Sequence, residues 1–294
     1  MTLTLDHIVI AVNDLDSAIA DYTALGFHVL RGGAHPGRTT HNALVVFGDG
    51  SYFELIAWTA PAPHERWWQW LQRHGEGVVD FALLPADTAA TVADAARRGL
   101  VLEGPLDGGR VRPDGQRLRW QTARPSSTDL PFLCGDISPR ALRVPEGDAR
   151  IHPNGVAGVA SLSVVVPDID ASLARYRALL GEAGATAVGP AVTLPDGRAR
   201  VAAIALGGST LLLVSPQPHE GDNGDEGDRG DSTDALANRL ATHGDGPFSV
   251  FLRSASEVGR HGFDSRLTHG TPLRTELAAV VNAPIPARSK EASS

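Results

Sequence analysis

A single cysteine, Cys134, stands in 294 residues, so no internal disulfide can form and no thiol pair is present for a zinc-thiolate or CxxC redox site. Lysine is as scarce: Lys290 is alone, in a polar tail, which sets Schiff-base chemistry aside. No run approaches the ~20 apolar residues of a membrane-spanning helix. The first residues, Met1 to His7, lack the basic stretch, apolar core and small-residue cleavage site of a signal peptide. The expected location is therefore a reducing, cytoplasmic one. Arginines are scattered without a basic stripe and the net charge is -8, which argues against nucleic acid as a partner. No glycine-rich dinucleotide loop, phosphate-binding loop or G-x-S-x-G element occurs, so nucleotide binding and α/β-hydrolase chemistry lack local support.

What the sequence does contain is enough apolar material for a large core, 42% hydrophobic against 20% charged residues, at a length that predicts two domains. Leu5 to Val12 reads as a strand. Asn13 and Asp14 follow as a helix-start signal, Ala18, Ile19, Tyr22 and Leu25 fall at helical spacing, and Gly26 supplies the stop. A strand over 27–30, a Gly/Pro-rich loop over 32–38 and a hairpin of 42–47 with 52–58 complete a β-α-β-β-β unit. The unit recurs. Placing Asn13 to Asp16 over Pro167 to Asp170 brings Tyr22 over Tyr176 and predicts a second hairpin over 200–214. A weaker copy spans 78–133, with strands near 100–102, 118–122 and 131–133, and a fourth, truncated copy falls within 246–282. The predicted class is α+β, with βαβββ modules paired into curved mixed sheets that enclose a cleft. Residues 1–143 (modules 1–58 and 76–138) form one expected domain. Residues 150–294 (module 157–216, acidic loop 217–233, truncated module 246–282) form the other, with a linker near Arg143 to Asp148. The stretch His219 to Asp231 is Gly/Asp-rich without apolar anchors, and is expected to be a solvated insertion.

His7 lies mid-strand and Glu54 on the last strand of the hairpin, both among large apolar residues where an unpaired ionised group is costly. Imidazole and carboxylate together suit Zn, Mn, Fe or Ni. The plainer alternative is a satisfied core histidine and a carboxylate bonded to backbone or arginine. His35 and His41 flank a turn beside the same cleft. Arg112 and Arg119 bracket Trp120, a combination suited to a carboxylate or planar ligand. Trp67, Trp68 and Trp70 form an aromatic cluster that could line a pocket, form an interface or cover the sheet.

Leu5 to Val12 followed by Asp14-Leu15, and Gly50 to Ile56, resemble the start and end of a glyoxalase-like module. Thr40 to Leu44 and Arg112 to Trp120 resemble the glyoxalase-like branch of the vicinal oxygen chelate superfamily. The likeness covers roughly the first half, and the repeat extends it. It implies metal ligands from the first and last strands of paired modules, positions that His7 and Glu54 match. In the second copy Asp80 matches His7, while Leu133 or Cys134 falls at the position of Glu54. In the third the matches are Ser161 and Leu212, so the C-terminal half is not expected to hold the same ion. The implied ligand set is His7, Glu54 and Asp80, with Glu54 the one candidate for a catalytic role and with His41, Asn42, Arg112 and Trp120 as substrate contacts. The expected activity is that of a divalent-metal lyase, isomerase or dioxygenase acting on a small oxygenated substrate. Alternatives are a metal-free protein that sequesters a small molecule, and an interaction scaffold. Beyond a small-molecule ligand no partner is expected, and a homodimer is compatible with the sequence.

Overall fold

A computed structural model describes residues 3–112, 114–217, 232–254 and 263–277. The predicted insertion His219 to Asp231 lies outside the described residues. The first module consists of β1 (Thr4–Ala11), α1 (Leu15–Ala24), β2 (Leu30–Ala34), β3 (Thr40–Val46) and β4 (Tyr52–Trp58). After α2 (Arg66–His74), the second module adds β5 (Gly77–Leu84), α3 (Thr88–Arg97), β6 (Leu102–Val111), β7 (Arg117–Pro125) and β8 (Phe132–Asp136), and the short helix α4 (Arg140–Arg143) follows. The eight strands close into a barrel in the order β1-β4-β3-β2-β6-β7-β8-β5. Beyond it lie β9 (Val156–Val165), α5 (Ile169–Leu180), α6 (Gly184–Ala187), β10 (Val192–Thr193), β11 (Ala199–Leu206), β12 (Ser209–Pro216), α7 (Ser232–His243), β13 (Gly246–Ser254) and β14 (Leu273–Leu277). These strands make an open sheet, β10-β11-β12-β9-β13-β14.

The repeat is visible in topology and register. β1 is parallel to β4 and antiparallel to β5, and β9 is likewise parallel to β12 and antiparallel to β13. His7 pairs with Tyr52 as Ser161 pairs with Thr210. Asp14 and Asp168 both cap their helices, accepting from the amides of Ser17 (2.7 Å) and Ala171 (3.0 Å). Gly26, at φ +83, ends α1 where a side chain would be strained. Among the described residues the fourth copy contributes only β13 and β14, so nothing corresponds to β6 and β7 and the second sheet stays open.

Three segments depart from the sequence expectation. Residues 27–29 are not strand: Phe27 is a buried core residue, and β2 starts at Leu30 and runs through Gly32 and Gly33, which had the composition of a loop. That short strand is bulged between Arg31 and Gly33 and meets β6 through Ala34 and Val111, which closes the barrel. β6 is far longer than the expected 100–102, and α2 was not foreseen. This helix is amphipathic and covers the sheet at β1 and β5, where its buried Leu71 and half-buried Trp67 join the Val9, Ala82 and Phe132 cluster.

Two apolar layers result. Val9, Ala11, Ile56, Ala82, Phe132 and Cys134 fill the inside of the barrel. The outward residues of the same strands, such as Ile8, Phe53 and Phe81, join Tyr22, Tyr176, Leu162, Leu213 and Leu252 in one continuous cluster that reaches the second sheet. Among the described residues no helix is long and apolar enough to cross a membrane.

Candidate active site

The barrel encloses a cavity of about 430 Å³ whose wall includes His7, His35, Asn42, Glu54, Arg110 and Trp120. Its polar centre depends on a fault in β1. Leu5 and Ile8 both belong to the outer apolar cluster, and the pairing with β5 slips between Leu5 and His7. An extra residue at this bulge brings Asp6 beside His7, where strict alternation would put neighbours on opposite faces. Asp6 Oδ2 lies 2.7 Å from His7 Nδ1. Asp6 is fully buried and takes hydrogen bonds from Arg140 (2.6 Å) and Arg143 (2.8 and 3.2 Å). Burial alone would raise its pKa, but the Arg143 and Arg140 charges and the His7 contact outweigh burial and hold it well below the usual carboxylate range. Asp6 is thus an anion, and Nδ1 is the donor to it.

That contact turns His7 Nε2 toward Glu54, whose Oε2 lies 3.5 Å away. Glu54 Oε1 accepts from Asn42 Nδ2 at 2.6 Å and lies 3.8 Å from His35 Nε2. His35 is itself fixed by Nδ1 against Thr40 Oγ1 at 2.8 Å. Burial opposes ionisation of both His7 and Glu54, yet their hydrogen bonding and mutual attraction prevail: His7 is pushed up by Asp6 and Glu54, and Glu54 is held down at about 2. Tyr52 stacks on the His7 ring with centroids 4.6 Å apart, and Phe132 meets it edge-on at 5.3 Å. Only the Nε2 edge is left for a ligand.

The residues expected from sequence separate into two groups. His7, Glu54, Asn42 and Trp120 reach the cavity. Asp80 does not join His7 and Glu54. Its Oδ2 is engaged by Arg66, by Trp67 Nε1 (2.9 Å) and by Arg124 (3.4 Å), and its Oδ1 accepts from the Phe81 amide (2.9 Å). His41 lies between Thr40 and Asn42, which face the cavity, and so shares the opposite face with Ala43 and Val45. Arg112 sits past the end of β6, donating to the Leu142 carbonyl at 3.0 Å. Arg110, two residues earlier, lines the cavity instead, as does Arg119. Arg110, Arg143, Tyr52 and Asp6 were not foreseen as site residues.

Two glycines make room for this arrangement. A Cβ on Gly32 would collide with Asn42 Oδ1 and Arg110 Nη1, and one on Gly108 with the Trp120 indole nitrogen. Gly32→Ala should therefore cost about 1–3 kcal/mol of stability through overpacking. Gly208→Ala, where nothing lies within 4 Å, should be near neutral. Urea unfolding of the two variants checks this, and equal midpoints would show that the Asn42–Arg110 pair can give way.

A buried imidazole-carboxylate pair thus lines the cavity of a closed barrel built from two βαβββ modules. The chain belongs to the glyoxalase-like domain family, whose model matches residues 5–180, and its fold is that of the vicinal oxygen chelate superfamily. No curated protein matches it. Among solved structures, it is similar to a hypothetical protein from Staphylococcus aureus, at 14% identity and TM-score 0.67, over 94% of this chain and 100% of that one. A variant 4-hydroxymandelate synthase from Streptomyces coelicolor matches at 15% identity and TM-score 0.56, over 86% of this chain and 71% of that one. A fusion of a xylose isomerase-like TIM barrel with a 4-hydroxyphenylpyruvate dioxygenase matches at 14% and 0.50, over 86% of this chain and 37% of that one. At such identities the likeness is one of fold.

Proposed function

We propose that the barrel is a divalent-metal site for a small oxygenated substrate, with His7 and Glu54 as ligands. The observation that carries this is the setting of His7: a buried carboxylate fixes Nδ1 and leaves Nε2 facing a second carboxylate across 3.5 Å. Metal-binding histidines are commonly oriented in this way by a carboxylate on the far nitrogen. Two donors each ~2.1 Å from one ion at a tetrahedral angle are ~3.4 Å apart, close to the separation seen. Asp80 is not part of the proposed set, because its oxygens are already taken. Nor is the cluster Asp6, His7 and Cys134, whose donor atoms lie within 4.8 Å of one another. Both oxygens of Asp6 are held by guanidinium groups, and burial pushes the Cys134 thiol up to about 12.

A bound ion would supply Lewis-acid stabilisation of an oxyanion on the substrate. The chain's own residues do the rest: Asp6 orients His7, Asn42 positions Glu54, and Tyr52 with Phe132 limits water at the imidazole. The reaction class is that of the superfamily's lyases, isomerases or dioxygenases. A metal-free binding site is the second reading. It is favoured by the closure of the network, since both ring nitrogens of His7 already face carboxylates.

Elemental analysis of protein purified without tag or chelator separates the two. His7→Ala and Glu54→Gln should each abolish stoichiometric divalent metal while leaving the circular dichroism unchanged, and Ser161→Ala should alter neither. Wild-type protein that takes up no divalent ion at micromolar concentration would establish the binding-site reading instead.

A further inference from the structure

The cavity has a second polar pole, on Arg110. Its side chain is only 4% exposed, and its partners are neutral: Nη1 donates to Asn42 Oδ1 at 3.2 Å and Nη2 to the Arg143 carbonyl at 3.4 Å. Nε has no partner. Among the described residues no carboxylate lies within ion-pairing distance of it. The other buried arginine of the wall, Arg143, is matched by Asp6 and Asp136, and Arg124 by Asp80. Glu54 shares Asn42 with Arg110 but itself faces His7 at 3.5 Å. Arginine stays protonated in proteins, and an unpaired buried guanidinium is expensive. The burial is nevertheless built in, because glycine at position 32 is what lets the guanidinium and Asn42 lie against β2.

We propose that Arg110 binds the carboxylate of a small organic acid whose flat apolar body lies along Trp120, Trp67 and Phe132. The three rings line the same cavity as Arg110. Trp120 and Arg110 both stand on the β6–β7 hairpin, where Trp120 is opposite Gly108 and Arg110 opposite Leu118. The Arg124 guanidinium lies 4.5 Å from the ring centroids of both Trp67 and Phe132, so those rings are held at a fixed mutual position. The Arg110 guanidinium, whose present partners are neutral carbonyl oxygens, offers a planar fork that suits a monoanionic carboxylate. The proposal rests on the barrel cavity being the ligand site, and not on the presence of an ion.

The test is a set of matched acid and amide probes: benzoate with benzamide, phenylacetate with phenylacetamide, and indole-3-acetate with indole-3-acetamide, plus phenyl phosphate. Each is titrated into the full-length protein by tryptophan fluorescence and by calorimetry, with and without excess EDTA. At least one acid should bind about tenfold more tightly than its amide and more tightly than phenyl phosphate, in both conditions. Arg110→Gln should abolish that preference, whereas Arg97→Gln, on the exposed face of α3, should keep it. Arg110→Lys retains the charge without the fork, so it should keep only part of the preference and serves if the glutamine variant does not fold. No acid preferred over its amide, or a preference unchanged in the Arg110 variants, overturns the proposal; so does a preference for phenyl phosphate. An acid preference in protein that binds no metal would remove the metal reading alone. A bound metal without any acid preference would remove this proposal alone.

Discussion

Arg143→Met should destabilise the protein by about 3–5 kcal/mol, the usual result of stripping one partner from a buried ion pair. All five N–H groups of Arg143 are engaged. Nη1 donates to Asp6 Oδ2 (2.8 Å) and the Tyr52 hydroxyl (2.7 Å), Nη2 to Asp6 Oδ1 (3.2 Å) and Asp136 Oδ2 (2.9 Å), and Nε to Asp136 Oδ1 (2.5 Å). The side chain is 5% exposed and Asp6 not at all, so solvent cannot take over these bonds. Arg140 would remain on Asp6 through Nη1, which limits the loss but leaves Asp136 and Tyr52 without their main donor. Methionine fills much of the volume, so the measured change reports charge and hydrogen bonding more than a cavity. Guanidinium chloride unfolding gives the value, and a loss under 1 kcal/mol would show that Arg140 alone neutralises Asp6. The same substitution should loosen the bulge that aims His7 and, on the proposed metal reading, weaken metal uptake even in molecules that remain folded.

Why this centre was hidden in the sequence follows from how it is made. The apolar pattern of the first strand, Leu3, Leu5, Ile8, Ile10 and Val12, keeps a period of two on each side of Asp6-His7 and slips by one between them. That slip is the trace of a β-bulge, and it could have singled out Asp6. The third module repeats it: Val159, Leu162, Val164 and Val166 share the outer cluster, and the β9–β13 pairing shifts between Val159 and Ser161. There the bulge carries Ala160 and Ser161 in place of Asp6 and His7, so the backbone feature persists where the chemistry is absent. Arg143 left no comparable trace. It sits at the edge of a Pro/Gly-rich stretch with linker composition, and only tertiary folding brings α4 under β1. Arg110 and Arg112 differ by two residues, and the end of β6 decides between them. Asp80 follows His7 in repeat position, but α2 lies nearby and supplies Arg66 and Trp67 to occupy it. The modules themselves were legible because helix caps, hairpin turns and apolar periods are local; the identity of a partner across the barrel is not.

Tyr176→Ala should cost about 3–5 kcal/mol and should lower the stability of the barrel and of the second sheet together. The repeat that aligns Tyr22 with Tyr176 also aligns their roles, and each reaches across to the other half of the chain. Tyr22, on α1, donates to the Thr268 carbonyl at 3.2 Å, and Tyr176, on α5, donates to the Asp129 carbonyl at 2.7 Å. Both rings are fully buried in the one apolar cluster that contains residues of both sheets. Arg175 adds an ion pair with Asp129 at 2.7 Å beside the second of these contacts. A cluster shared in this way couples the two halves, because neither can unfold without exposing the other's outer face. The five tryptophans, Trp58, Trp67, Trp68, Trp70 and Trp120, all precede β9, so tryptophan fluorescence reports the barrel while far-ultraviolet dichroism reports the whole. In the Tyr176→Ala variant both probes should shift to the same lower denaturant midpoint. Tyr176→Phe, which removes only the hydroxyl donor, should shift both by about 1 kcal/mol. A fluorescence transition that stays at the wild-type midpoint while dichroism splits into two steps would show instead that the halves are separate folding units, joined through the short helix α4 and the segment that follows it.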